Sequence, residues 1–129
     1  MSLADSTVAV MLPITDTGRA QEFYGERLEL PYDGTDSDGS LMYGLNGGSE
    51  LVLRQLPAGQ QSTNTAMSFK VDDIATEVGR LEKRGVVFEN YDEPGFTTVD
   101  HIFDAGDTKA AWFLDPDGNI LCLHETKDS

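Results

Sequence analysis

Cys122 and His124 stand two positions apart in the run Ile120-Leu121-Cys122-Leu123-His124. Alternation of this kind reads as a strand, so the thiol and the imidazole project from one face. Such a pair is the elementary unit of nucleophilic catalysis, provided something depresses the thiol's pKa. No oxyanion-stabilising group can be inferred beside it, and a small buried filler is the simpler use of a lone cysteine. Asp100 and His101 form a second pair with acid–base capability. They follow Glu93-Pro94-Gly95-Phe96-Thr97-Thr98-Val99, which reads as a lid loop, yet neighbours in an extended chain point to opposite faces. Trp112 is the only tryptophan, and its ring suits a planar ligand or a cation as well as it suits core or dimer packing. Tyr43 carries the same two readings. Glu50 and Arg54 add charged groups at one parity of an apparent strand.

The whole chain bounds what these residues can serve. It has 129 residues, 39% hydrophobic and 25% charged, which suits one globular domain. The net charge of −14 argues against nucleic acid and anionic membrane, since each phosphate would add repulsion. It is consistent with a cationic ligand, and equally with a surface that keeps the protein in solution. No apolar stretch approaches the roughly 20 residues of a membrane span, and Met1-Ser2-Leu3-Ala4-Asp5 lacks the pattern of a secretory signal. With Cys122 as the only cysteine, neither an intramolecular disulfide nor a cysteine-based zinc site can form, which fits a cytoplasmic location.

The elements that position the candidates come twice. Val8–Ile14 reads as a strand, with Pro13 marking an edge or strand end. Thr15-Asp16 then caps a helix with Ala20, Phe23, Tyr24 and Leu28 on one face, stopped by Pro31. Three strands follow, about Tyr32–Thr35, Leu41–Leu45 and Glu50–Leu56, separated by Asp36-Ser37-Asp38-Gly39 and Asn46-Gly47-Gly48. Pro57–Ser62 is a linker. From Thr65 the pattern restarts: a strand over Ala66–Val71, the cap Asp72-Asp73, and an apolar helix stripe of Ile74, Val78 and Leu81 ended by Gly85. Val86-Val87-Phe88 reads as a strand and Asn90–His101 as a long loop. Lys109–Leu114 and Ile120–His124 form a hairpin around Asp115-Pro116-Asp117-Gly118-Asn119, where Gly118 takes a positive φ and the two aspartates serve the turn rather than calcium. The fold class is α+β: two tandem βαβββ modules, about 6–57 and 64–126 of a single domain 1–129, forming a cupped mixed sheet with helices outside.

Two stretches carry a resemblance to a family. Ile14-Thr15-Asp16 leading to Ala20-Gln21-Glu22-Phe23-Tyr24, and the terminal run Trp112 to Glu125, resemble the vicinal oxygen chelate superfamily. That superfamily includes glyoxalase I, extradiol dioxygenases, methylmalonyl-CoA epimerase, and fosfomycin and bleomycin resistance proteins. Its metal enzymes take one ligand from each of four strands, and the corresponding positions here are Ala9, Val52, Ala66 and Cys122. Three of these have no donor atom, and a lone thiol cannot hold a hard or borderline ion. The resemblance therefore implies a fold without the usual chelate and with no cofactor; a displaced divalent site from His101, His124, Glu50 or Asp100 is the alternative.

Strand parity extends the cavity-facing set. With Cys122 on the cavity side, Ile120, His124, Trp112 and Ala110 share that side, and Leu121, Leu123, Phe113 and Ala111 face the helix. Met11 joins Ala9, Glu50 and Arg54 join Val52, and Ser68 and Lys70 join Ala66. The candidate ligand-binding residues are thus Trp112, His101, Tyr43, Glu50, Arg54, Cys122 and His124. The favoured reading is a metal-free protein binding a small cationic or aromatic molecule in a cupped cavity or dimer groove, as a homodimer. The second reading is a metal-dependent lyase, isomerase or dioxygenase with displaced ligands; whether any reaction occurs stays open at this level. A third, an accessory domain for a protein partner, has the least support.

Overall fold

Alternate residues of β1 (Ala9–Ile14) divide cleanly: Leu12 and Ile14 are buried, while Ala9 and Met11 are exposed, Met11 at 57%. One side of this strand therefore belongs to a core and the other does not. The computed structural model describes residues 2–127, which divide into two compact units, one ending at Gln61 and the other beginning at Ser62.

In the first unit, Asp16 accepts the Arg19 N–H and caps an α-helical turn, α1 (Thr17–Ala20). The chain then widens into π-helical geometry over Gln21–Arg27, where the Leu28 N–H reaches back to the Phe23 carbonyl. The wider turn still buries Ala20, Phe23, Tyr24 and Leu28 on one side. Three strands follow, β2 (Tyr32–Thr35), β3 (Leu41–Gly44) and β4 (Glu50–Gln55). The sheet order is β1-β4-β3-β2, with β1 parallel to β4 and the other pairs antiparallel. Pro13 thus sits on an edge strand, as its missing N–H requires. Leu51 and Leu53 are fully buried and share the helix side with Tyr43, which pairs with Leu51. Gly25 of the helical segment lies against the Tyr43 ring, where a Cβ would stand at an ordinary contact distance of 3.7 Å.

The second unit repeats this topology. It comprises β5 (Thr65–Lys70), α2 (Ile74–Lys83), a small hairpin of β6 (Asp92–Glu93) and β7 (Phe96–Thr97), then β8 (Phe103–Asp104), β9 (Thr108–Leu114) and β10 (Ile120–Thr126). The order is β5-β10-β9-β8, again with the first strand parallel to the last. α2 presses Ile74, Val78 and Leu81 against Ala111, Phe113, Leu121 and Leu123, all buried. Each such aliphatic side chain contributes about 1.5–3 kcal/mol of burial. The helix start is doubly satisfied: Asp73 accepts the Thr76 N–H and Glu125 accepts the Ile74 N–H.

Three expectations are corrected. Val86–Phe88 is not a strand; Phe88 alone makes an isolated bridge to Phe113, and Val87 is 76% exposed. The long loop contains the β6–β7 hairpin. The second module's missing strand is Phe103–Asp104, too short to show alternation in the sequence. The hairpin turn behaves as its letters imply: Asp115 Oδ1 accepts the N–H groups of Asp117 and Asn119, Oδ2 accepts the Asn119 amide, and Gly118 has φ 89°. Both Asp115 oxygens are thereby engaged within the turn.

Candidate functional site

Trp112, Cys122 and Ser68 form one row across β9, β10 and β5, each directly opposite the next on the side away from α2. This open face is where the parity of the strands places Phe103, Ala110, Ile120, His124 and Lys70 as well. The face has an aromatic end and a polar end.

The aromatic end is built by Trp112 with the hairpin before β8. Tyr91 and Phe96 meet the indole in T-shaped contacts, with centroids 5.7 and 5.3 Å away. Phe96 also packs on Tyr91 at 4.9 Å and on Phe103 at 4.8 Å. All four rings stay half-buried rather than enclosed. The indole N–H donates to Thr65 Oγ1 at 3.2 Å, so the ring bridges over β10. Burial is the main reason the Tyr91 hydroxyl is pushed above its ordinary pKa, with Glu89, Cys122 and Glu93 adding negative potential.

At the polar end Ser68 Oγ and His124 Nδ1 share a hydrogen bond of 2.6 Å. Cys122 lies between this pair and Trp112, 5% exposed, its Sγ donating to the Leu123 carbonyl. Burial pushes its thiol pKa up, partly offset by hydrogen bonds from Ser68 and from the Ala111 backbone. A neutral, buried thiol is a poor nucleophile. The facing of Cys122, His124 and Trp112 is therefore as strand parity gives it, and their contact partners include Ser68, which parity also places on this face, and Tyr91 and Phe96. Ser68 was legible from parity alone; the two rings were not, because the loop carrying them shows no periodicity.

The remaining candidates go elsewhere. Tyr43, expected in the pocket, is 1% exposed on the helix side of its sheet, packed on Tyr24 and Tyr32 at 6.3 and 5.5 Å. Burial raises its pKa, and Tyr32 adds to the rise. Glu50 and Arg54 flank Val52 on the open face of the first sheet, opposite Ala9 and Pro13. His101 sits in a two-residue turn with Asp100, both at positive φ, and its Nε2 lies 3.0 Å from Glu82 on α2. It is thus anchored to the helix and not to the Trp112 face. The turn explains why Asp100 and His101 do not act as a pair: each is spent on closing Val99 against Ile102.

The donor set does not fit a divalent ion. Ala9, Val52 and Ala66 offer no ligand atom, and among the described residues no three His, Cys, Asp or Glu side chains converge. On the helix side, a cleft of about 430 Å³ beside the start of α2 gathers Asp73, Asp104 and Glu125 with Lys109. Its carboxylates already accept backbone N–H groups of Thr76, Gly106 and Ile74. Among the described residues no helix is long and apolar enough to cross a membrane.

Comparison with known proteins places this geometry. No curated protein matches the sequence. Solved structures do: a glyoxalase family protein from Bacillus anthracis (TM-score 0.74, 18% identity, 95% of each chain covered). TnmS3, an antibiotic binding protein from Streptomyces sp. CB03234, aligns with TM-score 0.68 and 23% identity over 94% of this chain and 95% of its own. The fosfomycin resistance protein FosX from Listeria monocytogenes, solved with Mn(II) and sulfate, gives 0.66 and 16% over 94% and 88%. These likenesses establish the fold, and the profile of one family matches residues 7–123, nearly the whole chain. The chain belongs to the Glyoxalase/Bleomycin resistance protein/Dioxygenase superfamily.

Proposed function

We propose that this protein binds a flat aromatic small molecule against Trp112 on the open face of its second sheet, without a metal ion. The observation that carries this reading is the set of four aromatic rings, Tyr91, Phe96, Phe103 and Trp112, gathered on one face with none of them fully buried. A contiguous group of half-buried aromatic rings with hydrogen-bonding neighbours offers apolar surface to a ligand. Relatives of the same fold include an antibiotic binding protein, which supports a binding role. The four strand positions without a converging donor set support the metal-free part. No catalytic residue is assigned.

Because Trp112 is the only tryptophan, its fluorescence reports this site alone. Titration of the full chain with fused-ring aromatic compounds is expected to quench or shift that emission saturably, and Trp112→Ala to abolish binding measured by calorimetry. A panel of such compounds with no saturable response would sink the reading. The same reading takes the protein as a cytoplasmic homodimer, which light scattering tests as to its assembly.

A further inference from the structure

A chain of net charge −14 would be expected to select cations, yet the open face of the second sheet is not acidic. The open-side positions of β5, β8, β9 and β10 hold no carboxylate; their ionisable side chains are Lys70, Cys122 and His124. Asp104 and Glu125, the acidic residues of β8–β10, both point to the helix side, where they accept the backbone N–H groups of Gly106 and Ile74. Lys70 pairs with His124 in the β5–β10 register, is exposed, and makes no ion pair among the described residues. Carboxylates do border this face: Glu89 and Glu93 act on Tyr91 at one end, and at the other Lys70 shares a cleft with Asp72, Asp73 and Glu77 at the start of α2.

The imidazole at this end is oriented. Its Nδ1 is held by Ser68 at 2.6 Å. In the tautomer where the Ser68 hydroxyl donates into Nδ1, the ring proton is on Nε2 and is the one a ligand oxygen would accept. His124 lies one same-face step along β10 from Cys122, the residue opposite Trp112. Such diagonal neighbours are about 7–8 Å apart, the span of a bicyclic ring with one substituent.

We infer that the ligand is an aromatic acid: its ring lies against Trp112 and its anionic oxygen is held by His124 and Lys70. This rests on the ring-binding role proposed above and adds the sign of the ligand's charge, opposite to what the whole-chain charge suggests. The full chain is titrated at neutral pH with naphthoate and with naphthylmethylammonium, which share a ring and differ in charge, reading Trp112 emission and calorimetric heat. Naphthoate is expected to bind about tenfold more tightly, a difference of roughly 1.4 kcal/mol. Lys70→Gln, at an exposed position, and His124→Gln should each weaken naphthoate several-fold and leave the ammonium probe unchanged, and Lys70→Arg should restore the Lys70 loss. Equal or tighter binding of the ammonium probe overturns the inference while leaving the aromatic site standing; so does naphthoate binding that ignores both substitutions. Absence of binding by either probe overturns the aromatic site itself and this inference with it.

Discussion

The indole Nε1–H of Trp112 and the hydroxyl of Thr65 are hydrogen-bonded at 3.2 Å, a link that runs from β9 across β10 to β5. It fixes the ring over the central strand instead of letting it swing toward solvent. Thr65→Val removes the acceptor at nearly constant volume. The expected result is a small loss of stability, within about 1 kcal/mol, because the indole N–H can turn to water. Near-UV circular dichroism of Trp112 should weaken, and affinity for an aromatic probe should fall about fivefold, the equivalent of roughly 1 kcal/mol. An unchanged near-UV spectrum would show that packing by Tyr91 and Phe96 alone sets the ring.

Cys122 should be slow to alkylate in the folded chain. Its thiol is 5% exposed and its pKa is raised chiefly by burial, so the reactive thiolate is scarce at neutral pH. A folded-state pKa above the unfolded one means that the folded chain favours the protonated thiol. That preference leaves stability intact below the ordinary value of 9.0 and erodes it as pH rises through the raised one. Iodoacetamide labelling followed by mass spectrometry should therefore be slow at neutral pH and many times faster in urea. Rapid stoichiometric labelling of folded protein at neutral pH would contradict this environment.

Tyr43 separates packing from binding. Its ring is enclosed among Tyr24, Tyr32 and Gly25, so Tyr43→Ala should cost about 3–5 kcal/mol in urea denaturation, the range for an enclosed aromatic ring. Tyr43→Phe should leave probe affinity at Trp112 unaltered. A loss of affinity in the phenylalanine variant, with stability kept, would return Tyr43 to the list of ligand contacts.

The start of α2 depends on two carboxylates. Asp73→Ala and Glu125→Gln each remove or weaken an acceptor for a helix N–H, from Thr76 and Ile74 respectively. Each is expected to lower unfolding free energy by about 1 kcal/mol. Glu125→Gln keeps a carbonyl acceptor, so the smaller effect belongs to it; thermal denaturation of both variants gives the comparison.

What the sequence made legible follows its periodicities. The alternation in Ile120–His124 and Lys109–Leu114 fixed which side chains share a face, and the structure keeps that assignment residue by residue. The stripe Ile74, Val78, Leu81 and the caps Asp16 and Asp73 likewise fall where the letters place them. What the letters concealed was the hairpin carrying Tyr91 and Phe96. Its strands are two residues each, shorter than any repeat can reveal, and ring contacts to Trp112 add to the hairpin's own hydrogen bonds. Tyr43 misled for a related reason: Leu41–Gly44 alternates, but alternation does not say which of its two faces meets the helix. The wide turns of Gln21–Arg27 have no signature in spacing, since Phe23, Tyr24 and Leu28 suit an α-helix equally well.

Among the described residues, the first strand of each unit's sheet pairs only with that unit's last strand. β1 pairs with β4 and β5 with β10, so neither can join its sheet when it leaves the ribosome. Each must wait, unpaired, until a strand several tens of residues later has been made. The first sheet can close once Gln55 has emerged; the second requires the chain through Thr126. Sheet formation is thereby staggered in time, and the interval in which β5 stands open is the period when a nascent chain is most exposed to pairing with the wrong edge.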